Sequence, residues 1–283
     1  MSSLRSIKRS KRIADSISFV VVVALALITL LPIWWIFRSS LMTNPEIFGV
    51  PPQFFPSKWL FTNYNLKPRV FDFWMYLKNT LSIVVPCVVF GTITAVLCGY
   101  AFARLRFKGK KFLFSLCVGS MLLPTMVTLL PLRMVWSQLR LIDTYWPLIL
   151  PYLCGGGAFN IFLLRQFMRT IPKELDEAAK IDGAGYTRTL VSILVPSIGP
   201  AIIVVALLIF ITTWNDYLSQ SVYIITQEKY TMTMGLTKFL GSFGNDYKGL
   251  FAATCLSFLP GVTMYLIGQR YFVEGIVMTG MKN

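Results

Sequence analysis

Six stretches of this chain carry no Asp, Glu, Lys or Arg: Ser16–Phe37, Asn79–Ala103, Phe112–Leu132, Thr144–Leu164, Thr189–Asn215 and Gly249–Gln269, each at least 21 residues long. No other uncharged run exceeds 11 residues. A helix of about 20 apolar residues crosses the hydrocarbon core of a bilayer. Backbone polar groups in lipid must pair within their own segment, which makes each run a helix. The pattern predicts an all-α, polytopic membrane protein with six transmembrane helices. Pro86, Pro124, Pro196 and Pro260 lie inside or near span ends, where membrane helices tolerate proline better than soluble ones. The first run, 22 residues, is too long for a signal-peptide core of about 7–15 residues. It reads as an uncleaved first span.

Charge orients these spans. Of 27 Lys and Arg, 17 fall on the side holding residues 1–15, the loop with Arg104, Arg106, Lys108, Lys110 and Lys111, the loop 165–188 and the tail; the 12 acidic residues divide evenly. Basic residues accumulate on the cytoplasmic side, so both termini and loop 165–188 are expected in the cytoplasm. The net charge of +15 therefore reads as topology, with no soluble basic domain to hold nucleic acid. The expected organisation is a basic cytoplasmic segment 1–15, a six-helix membrane domain 16–270 and a cytoplasmic tail 271–283.

The most informative polar stretch is Glu174-Leu175-Asp176-Glu177-Ala178-Ala179-Lys180-Ile181-Asp182-Gly183-Ala184. Pro172 suits a first helical turn, and the acids that follow favour a helix N-terminus. At about 100° per residue Leu175, Ala178 and Ala179 share one face, with Asp176, Glu177 and Lys180 opposite. Gly183 and Gly185 can adopt backbone angles that other residues avoid. The expectation is a short helix whose small apolar face enters a groove on another protein.

Several chemistries are excluded. The chain has no histidine, which removes HExxH zinc sites and Ser-His-Asp catalysis; no metal site is expected. No GxxxxGK[ST] motif is present to cradle nucleotide phosphates, so any ATPase is a separate polypeptide. The five cysteines, Cys87, Cys98, Cys117, Cys154 and Cys255, all fall in predicted spans without a CxxC pair and read as small apolar residues.

Glu177, Ala178, Ala179, Gly183, Ile193 and Pro196 have the spacing of the EAA loop, and this region resembles the membrane subunits of ATP-binding-cassette importers. Val195 stands where leucine is usual. Gly99-Tyr100-Ala101-Phe102-Ala103-Arg104, Met121-Leu122-Leu123-Pro124, Ile142-Asp143-Thr144-Tyr145-Trp146, Trp214-Asn215-Asp216 and Gln269-Arg270-Tyr271-Phe272-Val273-Glu274-Gly275 are similar to the carbohydrate branch, the shorter, six-helix maltose-type permeases. The tail departs from that branch at Met278-Thr279-Gly280-Met281-Lys282-Asn283. The resemblance implies a permease subunit of an ATP-driven sugar or oligosaccharide importer in a bacterial or archaeal plasma membrane. It implies a second homologous permease, two ATPase subunits and an extracytoplasmic solute-binding protein. No cofactor is expected on this chain, ATP and Mg belonging to the ATPase. Glu174, Leu175, Glu177, Ala178, Ala179, Asp182 and Gly183 are the implied ATPase-coupling residues, with Glu177 facing a basic residue of the ATPase.

Two outer loops, Arg38–Lys78 and Asp216–Lys248, are rich in aromatics. The second is too long to be a mere connection and is a candidate meeting point for a soluble partner. Within the spans, Asn160, Trp214 and Asn215 are candidates to line a solute path, set against interhelical hydrogen bonding; for Thr212 and Thr213 packing is favoured. A channel or secondary transporter would usually carry ionisable residues inside its spans, and the six runs have none. Another polar solute, such as a polyol or sugar phosphate, remains an alternative.

Overall fold

The computed structural model describes the backbone of all residues except 1, 67–70, 242–243 and 281–283, and the side chains of these and of 2–14, 241, 244 and 271–280 are not described. The basic side chains expected at residues 5–12, and the end of the tail with Lys282, lie outside the described residues. The chain divides into two compact units, Met1–Phe71 with Lys238–Leu256, and Asp72–Thr237 with Ser257–Asn283.

In the first unit a single helix, α1 (Ser2–Ser40), contains the first apolar run. The most apolar 18-residue window within Asp15–Ser40 has no buried residue, as suits a helix whose neighbours are lipid or another subunit. Beyond it lie a short α2 (Asn44–Ile47) and a 3-10 turn at Phe61–Tyr64. The turn at α1's end is held by the buried Arg38, whose guanidinium donates to the Gln53 carbonyl at 2.5 Å and lies 3.6 Å from the Trp35 ring centroid.

The second unit is built on α3 (Phe73–Ala103), capped by the Asp72 carboxylate accepting the Met75 N–H at 3.0 Å. Then follow α4 (Lys110–Ser120), α5 (Thr125–Gln138), α6 (Trp146–Leu153), α7 (Ala158–Thr170), α8 (Glu174–Ile181), α9 (Tyr186–Thr189), α10 (Val195–Ser197), α11 (Gly199–Trp214), α12 (Leu218–Tyr223) and α13 (Met232–Gly235). A two-residue hairpin in the first unit, β1 (Leu240–Gly241) with β2 (Gly244–Asn245), pairs antiparallel with Leu240 opposite Asn245. It precedes α14 (Tyr247–Gly280), which continues into the second unit.

Helix α3 packs against α6, α7 and α11. Small residues permit this. A Cβ placed on Gly156 would meet the Gly91 carbonyl oxygen, and one on Gly99 would sit 3.2 Å from the Leu164 Cβ. Backbones that approach so closely gain packing where lipid offers no hydrophobic drive between helices. Thr94 adds a hydrogen bond from its hydroxyl to the Tyr152 carbonyl at 2.9 Å. Cys87, Ala95, Leu164, Met168, Leu194 and Val205 complete the fully buried centre.

Among the described residues four helices are long and apolar enough to cross a membrane, and six segments are if each of two bent pairs is one span. All six match the uncharged runs. Two runs expected as straight helices are broken, however. Between α4 and α5 the axis turns by 104°, and between the segment Tyr186–Ser197 and α11 by 83°. Pro124 sits at the first break with extended backbone (φ −62°, ψ 133°). Pro200 opens α11 at the second, just after a π turn over Leu190–Leu194. Proline lacks the N–H that would carry the helix through and clashes with the preceding turn. The fourth run is also interrupted, at Gly155-Gly156-Gly157, all with positive φ. The five cysteines are free thiols.

Candidate functional site

The polar loop between the fourth and fifth spans folds as expected into a short helix, α8, with Glu174, Asp176 and Glu177 in its first turn. Its end is fixed by hydrogen bonds from the Gly183 N–H to the Lys180 carbonyl (3.1 Å) and from the Ala184 N–H to the Ala179 carbonyl (2.8 Å). This is a Schellman closure, which places the residue after the cap in the left-handed region. Gly183 occupies that position with φ +78°. Gly185 does not share the role: its φ is −76°, which any residue adopts.

The face that α8 presents differs from the expected one. Ala179 is buried (6% exposed) against its own chain, and Asp176 is half-buried. These two lie 60° apart around the axis at about 100° per residue and mark the inward side. Glu174, Glu177, Ala178 and Ile181 therefore point outward; all four are exposed, Ile181 by 86%. Leu175 is at the flank, 45% exposed. Ala179, expected on the outward apolar face, thus turns toward its own chain, and Ile181 is left on the open side, because the chain's own packing claims one side of the helix. Asp182 caps the helix from an exposed position.

Asp176 meets Arg104, the last residue of the Gly99–Arg104 motif. Arg104 Nε lies 2.9 Å from Asp176 Oδ2, with Arg104 6% exposed. The Nε–H is not aligned on that oxygen as a hydrogen bond, and Asp176 Oδ1 is buried without a hydrogen-bond partner. The guanidinium spends another N–H on the Ile171 carbonyl at 2.8 Å. Desolvation raises the Asp176 pKa, and Arg104 only partly offsets this.

A second constellation sits where the α4–α5 break and the glycine break meet α11. A cavity of ≈ 660 Å³ is lined by residues including Ser120, Tyr152, Gly156, Phe159, Asn160 and Thr212. That volume is in the range of small-molecule sites. Asn160 is buried and donates its amide N–H to the Gly156 carbonyl, so it both braces the glycine break and lines the cavity. Thr212, expected to serve packing, bonds the Leu208 carbonyl (2.8 Å) and also reaches this cavity. Thr213 is buried and bonds the Ile209 carbonyl at 2.7 Å.

The structure separates Asn160 from the other two solute-path candidates. Trp214 and Asn215 border a different hollow, ≈ 280 Å³, with Phe210, Ser257 and Tyr265. Trp214 is buried and stacks on Phe210 at 5.4 Å. Asn215 is exposed, and its amide donates to the Ile211 carbonyl at 2.9 Å. This is capping of a helix end. Tyr152 escaped the sequence reading because one aromatic in an apolar run carries no signal of facing a cavity.

On the loop after α5, Asp143 ties two segments together. Its Oδ1 accepts the N–H groups of Ile225 and Thr226, both at 2.9 Å. Its Oδ2 accepts the Thr226 hydroxyl at 2.6 Å and the Lys229 ammonium at 2.8 Å. Burial would raise the Asp143 pKa, but these four donors outweigh it and hold the carboxyl well below the usual carboxylate range.

Residues 60–277 match the family described as "Binding-protein-dependent transport system inner membrane component". The chain belongs to that family. As such it is a membrane-embedded permease component of a transport system, and not itself an enzyme. It is 30% identical over 261 residues to the arabinooligosaccharides transport system permease protein AraQ of Halalkalibacterium halodurans, covering 91% of this chain and 93% of that one. It is 33% identical over 232 residues to the maltodextrin transport system permease protein MdxG of Bacillus subtilis, covering 81% and 82%. Among solved structures it resembles a chain of a bacterial ABC transporter involved in the import of the acidic polysaccharide alginate. There the TM-score is 0.79 with 26% identity, covering 93% of this chain and 98% of that one.

Proposed function

We propose that this permease passes sugars or oligosaccharides inward by alternating access, driven by a separate ATPase. The relatives named for arabinooligosaccharides, maltodextrin and alginate support the solute class. Both termini and the α8 loop lie in the cytoplasm, residues 16–270 form the membrane domain, and the asymmetry of Lys and Arg supports that orientation. A second permease completes the path, two ATPase subunits carrying ATP and Mg sit beneath, and a solute-binding protein docks on the outer side.

The observation that carries this reading is α8 itself. It is a helix held by its own chain on one side and bare on the other, with Glu174, Glu177, Ala178 and Ile181 outward. Two acids around a small residue and one large aliphatic suit a groove with a basic rim. Asn160, Tyr152 and Thr212 supply hydrogen-bonding groups beside the Phe159 ring where the helices break, a lining suited to hydroxyl-rich solutes. Breaks allow one half of a span to rock while the other stays packed.

The test uses the permease co-expressed with its ATPase and partner permease. Glu177→Lys and Ile181→Asp should abolish ATPase co-purification while permease abundance in the membrane stays at the parental level. Proteoliposome uptake of maltodextrin, arabinooligosaccharide and a polyol, measured in parallel, assigns the solute. Parental co-purification in both variants would remove the docking face; uptake of the polyol alone would replace the sugar assignment.

A further inference from the structure

The Gly99–Arg104 motif at the end of α3 has no part in the reading above, yet it holds the α8 loop at several points. Arg104 closes α3 with its backbone N–H on the Tyr100 carbonyl at 2.8 Å, where a cation also complements the helix dipole. Its guanidinium reaches the Ile171 carbonyl, before α8, and the Asp176 carboxylate, in the first turn of α8. One turn back, the Tyr100 hydroxyl donates to the Tyr186 carbonyl at 3.2 Å, after α8. Arg165, in the second half of α7, donates to the Phe102 carbonyl at 3.2 Å. Both ends of the loop are thus fastened to one helix, and that helix is the packing hub of its unit.

We propose that Arg104 and Tyr100 form a latch that makes α8 and the end of α3 move as one body, so that a push on α8 reaches the spans through α3. Arg104 is a positioning residue, acting through Asp176 and the Ile171 carbonyl. The latch is largely buried on the Arg104 side and incompletely satisfied on the Asp176 side. Such a contact depends on geometry, since low dielectric magnifies both a good and a poor alignment. This inference rests on the reading of α8 as the ATPase contact.

The experiment uses the whole assembly, permeases with ATPase, in lipid. Spin labels at Leu97 on the exposed side of α3 and at Lys180 on α8 report their separation without nucleotide and after trapping with Mg-ATP and vanadate. The parent should give one narrow distance that is the same in both states. Arg104→Asp and Asp176→Arg should each broaden it, and the double exchange should restore it. Mg-ATP hydrolysis stimulated by the binding protein should fall about 2- to 30-fold in each single variant, the range of mutations along a coupling route, and recover in the double exchange. Asp176→Asn, which preserves shape, guards against a variant that merely fails to fold: it should match the parent in abundance and ATPase co-purification yet show the lowered stimulation. A parental separation that changes between states, or single variants with parental distances and stimulation, would overturn the latch. Failure of the underlying reading looks different, because Glu177→Lys would then leave ATPase co-purification intact.

Discussion

Two carboxylates, Asp143 and Asp176, each join a loop to a basic residue, and they do so under opposite conditions. Asp143 accepts two hydrogen bonds at each oxygen, so partial burial is outweighed and its acidity is strengthened. Asp176 has one oxygen buried without a hydrogen-bond partner and faces an arginine whose N–H is misaligned; desolvation prevails and its acidity is weakened. The first is a staple, and its segments 140–146 and 224–229 are expected to stay together through a transport cycle. The second adds little to stability and serves instead to position α8 on the end of α3. An ion pair near 2.9 Å therefore says little by itself; the donors around it decide how much it adds to stability.

The largest effect should come from Asp143→Ala. It leaves the Ile225 and Thr226 N–H groups without their acceptor. Hydrogen bonds to a charged group contribute about 1.5–3 kcal/mol, while the Lys229 share is reduced because that side chain is 41% exposed and solvent screens it. A loss of about 2–3 kcal/mol should appear as a lower thermal midpoint in detergent and as new protease cuts within 224–229. An unchanged midpoint would mean that the staple adds nothing.

Gly183→Val ranks next. A Cβ at this position meets nothing within 4 Å, so the penalty is purely that of a left-handed backbone, about 1–2 kcal/mol. It falls on the Schellman closure of α8, and stimulated hydrolysis should drop with it. Gly183→Asn, which tolerates that region better, should retain most of the activity. Equal loss in both would point to a steric role.

Asp176→Asn should cost less than about 1 kcal/mol in stability, because the site already disfavours the charged form and one unit of pKa is about 1.4 kcal/mol. Equal destabilisation by Asp143→Asn and Asp176→Asn would end the comparison between the two sites.

The smallest effect, and the most discriminating, is pH dependence. Asp143 has its folded pKa depressed, so its contribution is present above the unfolded value near 3.9 and is lost as pH falls through the lower folded one. The deficit of Asp143→Asn should stay constant from pH 7 to about 4. Asp176 has its folded pKa raised, so the folded state takes up the proton more readily than the unfolded one. The parent should gain stability relative to Asp176→Asn as pH descends through the carboxylate range. Thermal midpoints of the three proteins across that interval measure both slopes, and slopes of the same sign would contradict the assignment of causes.

The spans, the short acidic helix and the left-handed glycine at its end were readable directly from residue order. Each follows from a local requirement: lipid demands uncharged helical runs, a helix start favours acids, and a Schellman end favours glycine. The family likeness was readable for the same reason, since its motifs are short runs of fixed spacing. What residue order did not carry was direction. Periodicity placed Ala179 with Leu175 and Ala178, but which side of α8 faces inward depends on α3 and its Arg104, some 70 positions earlier. Proline marked Pro124 as tolerable, while the 104° turn there arises only when the two halves find different neighbours. Asn160, Trp214 and Asn215 looked like one polar set, and packing sent them to two hollows. Local chemistry thus determined which elements form, and long-range packing decided which faces they show, because a side chain's exposure is a property of its neighbours in space and not of its neighbours in sequence.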